Sequence, residues 1–88
     1  MKQHNHVIVG VHVTDRLAHA GAVQQVLTAY GRHIKTRLGL HDATGKASAP
    51  NGIILLEMVG EEAKCSAIIR DLNRVKGIEA KKMVFAHD

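Results

Sequence analysis

Eighty-eight residues, 45% hydrophobic but only 2% aromatic, make one small domain whose core must be aliphatic. A formal net charge of +4 at pH 7 favours acidic partners without specifying one. The single cysteine excludes an internal disulfide, no apolar run approaches the roughly 20 residues of a membrane helix, and no secretory leader precedes the first strand. A cytoplasmic protein without membrane contact is the expectation.

From His4 to Val13 the chain alternates, Val7, Val9, Val11 and Val13 on one face and His4, His6, Ile8, Gly10 and His12 on the other, the period of a half-buried strand. Thr14-Asp15 offers N-cap chemistry for a helix running to Tyr30, with Leu17, Ala20, Val23, Val26, Leu27 and Tyr30 at helical spacing. Gly31 then fits a helix stop that adopts positive φ. Ile34, Thr36, Leu38 and Leu40 alternate with His33, Lys35, Arg37 and Gly39, which predicts a second strand with one apolar and one basic face. Residues 42–52 hold turn formers and the only proline, a loop long for a hairpin. Gly52 to Gly60 is apolar on both faces, so this third strand is central. A second helix spans Glu61 to Lys76 on the stripe Cys65, Ile68, Ile69, Leu72, Val75 and ends at Gly77. Ile78 to Ala86 completes the chain with Met83, Val84 and Phe85.

The two halves repeat at an offset of 46 residues, Gly31 meeting Gly77 and His41-Asp42 meeting His87-Asp88. Right-handed crossovers in the order β-α-β-β-α-β give an α+β ferredoxin-like sandwich over residues 1–88, a four-stranded antiparallel sheet with both helices on one face. The other face is then bare. Ile8, one apolar set of the third strand, and Val84 are expected there, covered by a second copy or relieved by extending the sheet edge to edge. The chain is therefore expected to be its own partner, as a homodimer or tetramer.

The run VTDRLAHAGAVQQVLTAYGRHI followed by KTRLGL resembles the opening of ACT-type regulatory domains. Nearly end to end, the chain is similar to the iron-only hydrogenase system regulators, through Arg37, Gly39, Leu40, Gly60, Leu72 and Gly77. That resemblance implies an ACT-like regulatory or effector-binding module rather than an enzyme, with no cofactor. It also implies a fold shared with the C-terminal domain of the nickel-responsive repressor, but the repressor's His-x-His positions are Arg37 and Gly39 here, so its ligand set is missing. ACT domains that bind amino acids follow the acidic-basic pair with Pro-Gly. Here Asp15-Arg16 precedes Leu17-Ala18.

A small-molecule effector would be held near the first strand-helix turn or at a subunit interface by Thr14, Asp15, Arg16, Arg37 and the backbone around Gly39. The alternative is an assembly module whose bare face binds a different protein without any small ligand. His4, His6 and His12 share a strand face that His87 could join, so the sequence leaves open a metal site or solvated histidines. Cys65 lies on the apolar stripe and reads as a core residue. The pairs His41-Asp42 and His87-Asp88 lack a placed nucleophile, and TGKAS lacks the glycine and helix of a phosphate loop. Without ring side chains on the third strand, direct nucleic-acid binding is not expected.

Overall fold

Every second residue of β1 (His6–Val13) is a valine, and these four side chains point to one side of the strand. The computed structural model, which describes residues 5–40, 52–59 and 62–86, buries all four, Val9 and Val11 completely. β1 lies between β3 (Gly52–Met58) and β4 (Ile78–Phe85), and β2 (Ile34–Leu40) closes the far side of β3. All neighbours are antiparallel, in the order β2-β3-β1-β4.

The helices α1 (Arg16–Ala29) and α2 (Glu62–Asn73) cover the valine side. Val23 and Leu27 of α1 meet Cys65, Ile68 and Leu72 of α2 above Leu56 and Met58 of β3. Burying each aliphatic side chain of this size contributes about 1.5–3 kcal/mol, and this layer is the main source of stability. With only Tyr30 and Phe85 to supply rings, branched aliphatics fill the core.

The expected α+β ferredoxin-like sandwich is the fold observed, with several local corrections. Core residues of the two halves correspond at 45 positions rather than 46: Val11 with Leu56, Val13 with Met58, Val23 with Ile68, Leu27 with Leu72. Val7 and Ile53, matched by the 46-residue offset, in fact face opposite sides of the sheet. A match of residue types one position out of step still looks regular in strands that are apolar on both sides.

Asp15 does not cap α1 with its side chain. Its backbone is left-handed (φ 51°, ψ 68°), and only its carbonyl joins the helix, accepting from the amides of Ala18 (3.0 Å) and His19 (3.3 Å). A capping side chain needs an extended backbone at that position, which Asp15 lacks. Gly31 does not take positive φ either; it begins a short 3-10 turn, Gly31–His33, that leads into β2.

Gly77, by contrast, has φ 83°. A Cβ there would lie 2.7 Å from Cδ2 of His19 and 3.3 Å from the carbonyl oxygen of Thr14. Its own carbonyl accepts the amide of Thr14 at 2.8 Å, which ties the turn after β1 to the turn before β4.

The largest correction concerns β2. A bulge at Lys35 sets Lys35 and Thr36 against the single residue Glu57, and the alternation reverses beyond it. Ile34 opposes Met58 on the helix side; Thr36 and Leu38 oppose Glu57 and Leu55 on the open side; Arg37 and Gly39 oppose Leu56 and Ile54 on the helix side. The expected division into an apolar Ile34-Thr36-Leu38-Leu40 face and a basic face therefore fails at its first member. Val84 also lies on the helix side, opposite Val7, while Met83 and Phe85 oppose Ile8 and His6 on the open side.

Candidate functional site

Two regions concentrate the features that the fold does not itself require: the open face of the sheet, and the ends of β1 and α1 with the adjoining stretch of β2.

On the open face β2 contributes Leu38, β3 Ile53 and Leu55, β1 Ile8, and β4 Met83 and Phe85. They form an oblique apolar band from the β2 side to the far end of β4. Leu38, Met83 and Phe85 are each more than half exposed (53%, 56% and 53%), and Ile53 is 41% exposed. A soluble domain rarely leaves so continuous an apolar surface without a use for it.

Charges on this face pair with one another. Glu57 accepts a hydrogen bond from the Thr36 hydroxyl (3.1 Å) and lies 4.0 Å from Nζ of Lys35, and Glu79 lies 3.6 Å from Nζ of Lys81. At the centre of the band stands Gly10, between Leu55 and Lys81 in the register.

His6 and His12 also occupy this face. Six residues of strand separate them by about 20 Å, so one ion cannot bind both. His4 and His87, the other members of the histidine set, lie outside the described residues.

The residues expected to hold an effector divide into two groups. Thr14 and Asp15 form the turn after β1, where Thr14 is bound to Gly77 through the backbone. Arg16 opens α1, and its side chain is not described. Arg37 and Gly39 sit on β2, two strands away from β1, a separation of about 10 Å. Nη2 of Arg37 donates to Oε1 of Gln24 on α1 at 2.9 Å, and Nε2 of Gln24 in turn donates to the Thr28 hydroxyl at 3.3 Å. Gln24 thus takes one of the guanidinium's five donors and holds the group against α1. Around Gly39 an added Cβ would meet nothing within 4 Å, so the backbone there is open on the helix side. Gln24 was not singled out by sequence reasoning; only the bulge brings it under Arg37.

A second polar cluster links the helices. The Tyr30 hydroxyl donates to Oδ2 of Asp71 at 2.5 Å, while Arg70 (3.2 Å) and Arg74 (3.8 Å) approach Oδ1. The Tyr30 hydrogen bond, then the two arginines, hold the Asp71 carboxyl below its ordinary range; the same bond, with burial, pushes the Tyr30 phenol up. Cys65 is buried, and desolvation raises its thiol despite the opposing charge of Lys82, consistent with an unreactive core residue. Among the described residues no group of three or more His, Cys, Asp or Glu side chains could hold a metal, and no helix is long and apolar enough to cross a membrane.

No protein-family model matches this sequence, and no curated protein does. Solved structures do. An uncharacterized protein from Thermotoga maritima superposes with a TM-score of 0.79 at 19% identity, over 96% of this chain and 99% of that one. The ACT domain of GTP pyrophosphokinase from Chlorobium tepidum gives 0.68 at 14% identity, over 93% and 100%. CPII, a nitrogen regulatory PII-like protein from Thiomonas intermedia K12 bound to ADP, AMP and bicarbonate, gives 0.60 at 13% identity, over 99% and 99%. At these identities the likeness establishes an ACT-like ferredoxin fold.

Proposed function

We propose that this chain is an ACT-like regulatory module that works as a homo-oligomer and responds to a small effector. The observation that carries the proposal is the oblique apolar band on the open face. Nothing within the described residues covers it, and a run of large apolar side chains across all four strands is the kind of surface that marks an interaction site. A catalytic reading has no comparable support: the sole cysteine is buried with a raised pKa, and Asp71 is committed to Tyr30.

The effector's place in this reading is the helix side of β2 and the first turn. There Arg37, positioned by Gln24 beside the open backbone of Gly39, offers a planar donor group suited to a carboxylate or phosphate. Thr14, Asp15 and Arg16 would contribute from the turn, within one subunit or across an interface. Structural neighbours that include an ACT domain and a nucleotide-bound PII-like protein support the regulatory class, and the likeness of the sequence to iron-only hydrogenase system regulators is a narrower form of the same reading.

A thermal-shift screen against metabolites and divalent metal ions tests the effector claim. A stabilising compound whose effect disappears in Arg37→Ala is the expected result. The second reading, an assembly module without a small ligand, is favoured by the same apolar band. Under it the screen stays flat, and a different protein copurifies with the chain and is released by Leu38→Lys.

A further inference from the structure

Resting on the reading of the chain as an assembling module, we propose that a second copy of it docks face to face on the open side of the sheet, centred on Gly10, and that neither sheet edge forms the contact.

Gly10 lies in the middle of β1, one of the two strands with neighbours on both sides, and nothing among the described residues calls for a glycine there. Its φ is not positive, and an added Cβ would be 3.9 Å from Cδ2 of Leu55, an ordinary contact. A glycine in a strand interior weakens the strand, and it commonly marks a place where another chain approaches closely. Here it leaves a position without a side chain between Leu55 and Lys81. A partner's Leu55 or Met83 side chain could occupy it.

The charges also favour a second copy. Lys35 with Glu57 and Lys81 with Glu79 balance the acidic and basic side chains of this face, although the chain as a whole carries +4 with its histidines neutral. Two identical faces therefore meet without net repulsion, whereas an acidic partner attracted by the excess charge would find none of it here. Four strands about 4.8 Å apart and about seven residues long present roughly 450 Å² in plan. With side-chain relief, two such faces bury on the order of 1,000 Å², the size at which a contact becomes specific.

The edges are guarded. On β4 the Asn73 side chain acts as a short piece of strand: Nδ2 donates to the Ala80 carbonyl (3.2 Å), and Oδ1 accepts the Ala80 amide (2.8 Å). Those groups are therefore the outward-facing ones, and strand alternation turns the amides of Lys82 and Val84 the same way. Asn73 occupies the inner end of this edge, and Lys82 places a charge beside the rest. On β2 the bulge at Lys35 interrupts the edge and puts a lysine at the irregularity. Bulges, lysines and capped edge groups are the devices by which proteins prevent edge pairing.

The test combines sedimentation equilibrium of the full chain and its variants with amide hydrogen exchange in the assembled wild type. Leu38→Lys and Gly10→Val are each expected to weaken self-association at least about 30-fold, as loss of a central contact does, while circular dichroism shows the wild-type fold. Gly10→Ala is the gentler companion should Gly10→Val fail to fold; it is expected to keep monomer stability and still weaken association. The outward amides of Lys82 and Val84 are expected to exchange rapidly in the assembly. A wild-type chain that assembles while these variants assemble equally well, or whose Lys82 and Val84 amides become protected, overturns face-to-face docking and leaves the assembling-module reading intact. A wild-type chain that stays monomeric throughout the micromolar range overturns both.

Discussion

One side of this sheet is covered by the helices, whereas the other carries an apolar band that nothing among the described residues covers. Adjacent residues of β3 make the contrast sharp: Leu56 is fully buried beneath the helices, whereas Leu55 is only half-buried on the open side. Side-chain chemistry is the same in both. The difference is that one face closes within the monomer and specifies the fold, while the other becomes a core only when something is placed on it.

The largest expected effect separates those two leucines. Leu56→Ala should cost about 2–5 kcal/mol of unfolding free energy, the usual consequence of a cavity in a packed core. Leu55→Ala should cost under about 1 kcal/mol in dilute, dissociated protein and should instead weaken self-association. Chemical denaturation at low and high protein concentration distinguishes the two; equal losses for both variants at low concentration would erase the contrast between the faces.

A second pair of variants uses the glycines. Gly77→Ala forces an L residue into φ 83° and drives a Cβ to 2.7 Å from the His19 ring, for an expected loss of about 1–3 kcal/mol. Gly10→Ala, with no such conflict, should leave the dissociated monomer unchanged or up to about 1 kcal/mol more stable. Thermal melts of both, below the concentration of self-association, check the pair.

Arg37 sharpens the comparison because the bulge moves it to the helix side. Arg37→Ala should change folding stability by less than about 1 kcal/mol, since its bond to Gln24 is exposed. It should leave open-face assembly unchanged and weaken the response to an effector by about 2–5 kcal/mol, as when a paired charge loses its partner. Unaltered thermal shifts with a validated effector would return Arg37 to the class of spectator surface arginines.

The smallest effect is a pH dependence on the helix side. The Asp71 carboxyl is lowered in the fold, so its contribution is present above the ordinary carboxylate range around 3.8 and is lost as pH falls through the lowered value. The Tyr30 phenol is raised, so its contribution is present below its ordinary value of 10.0 and is lost as pH rises through the raised one. Tyr30→Phe should remove the alkaline component and weaken the acid one, whose remainder comes from Arg70 and Arg74, changing the melting temperature by a few degrees at most because the bond is only part-buried. Coincident pH–stability curves for wild type and Tyr30→Phe would show the bond contributes nothing.

Element order, strand centrality and the inward valines were legible in the sequence because each rests on a strong local period. The helix stripe of α2 was legible for the same reason, with Cys65, Ile68 and Leu72 all buried. What the sequence hid depends on register. The bulge at Lys35 has no local signal in IKTRLGL, yet it carries Leu38 to the open face and Arg37 to α1. The left-handed backbone of Asp15, beside the Thr14–Gly77 tie between distant turns, likewise has no local signal in the sequence. The candidate effector residues were readable as types, but their division into a turn group and a β2 group follows only from strand order.

Sedimentation equilibrium of the untagged wild-type chain across the micromolar range tests the central claim most directly. A dimer or larger assembly that dissociates on dilution is the predicted result; a single monomeric species at every concentration would contradict the reading of the open face as an unfinished core.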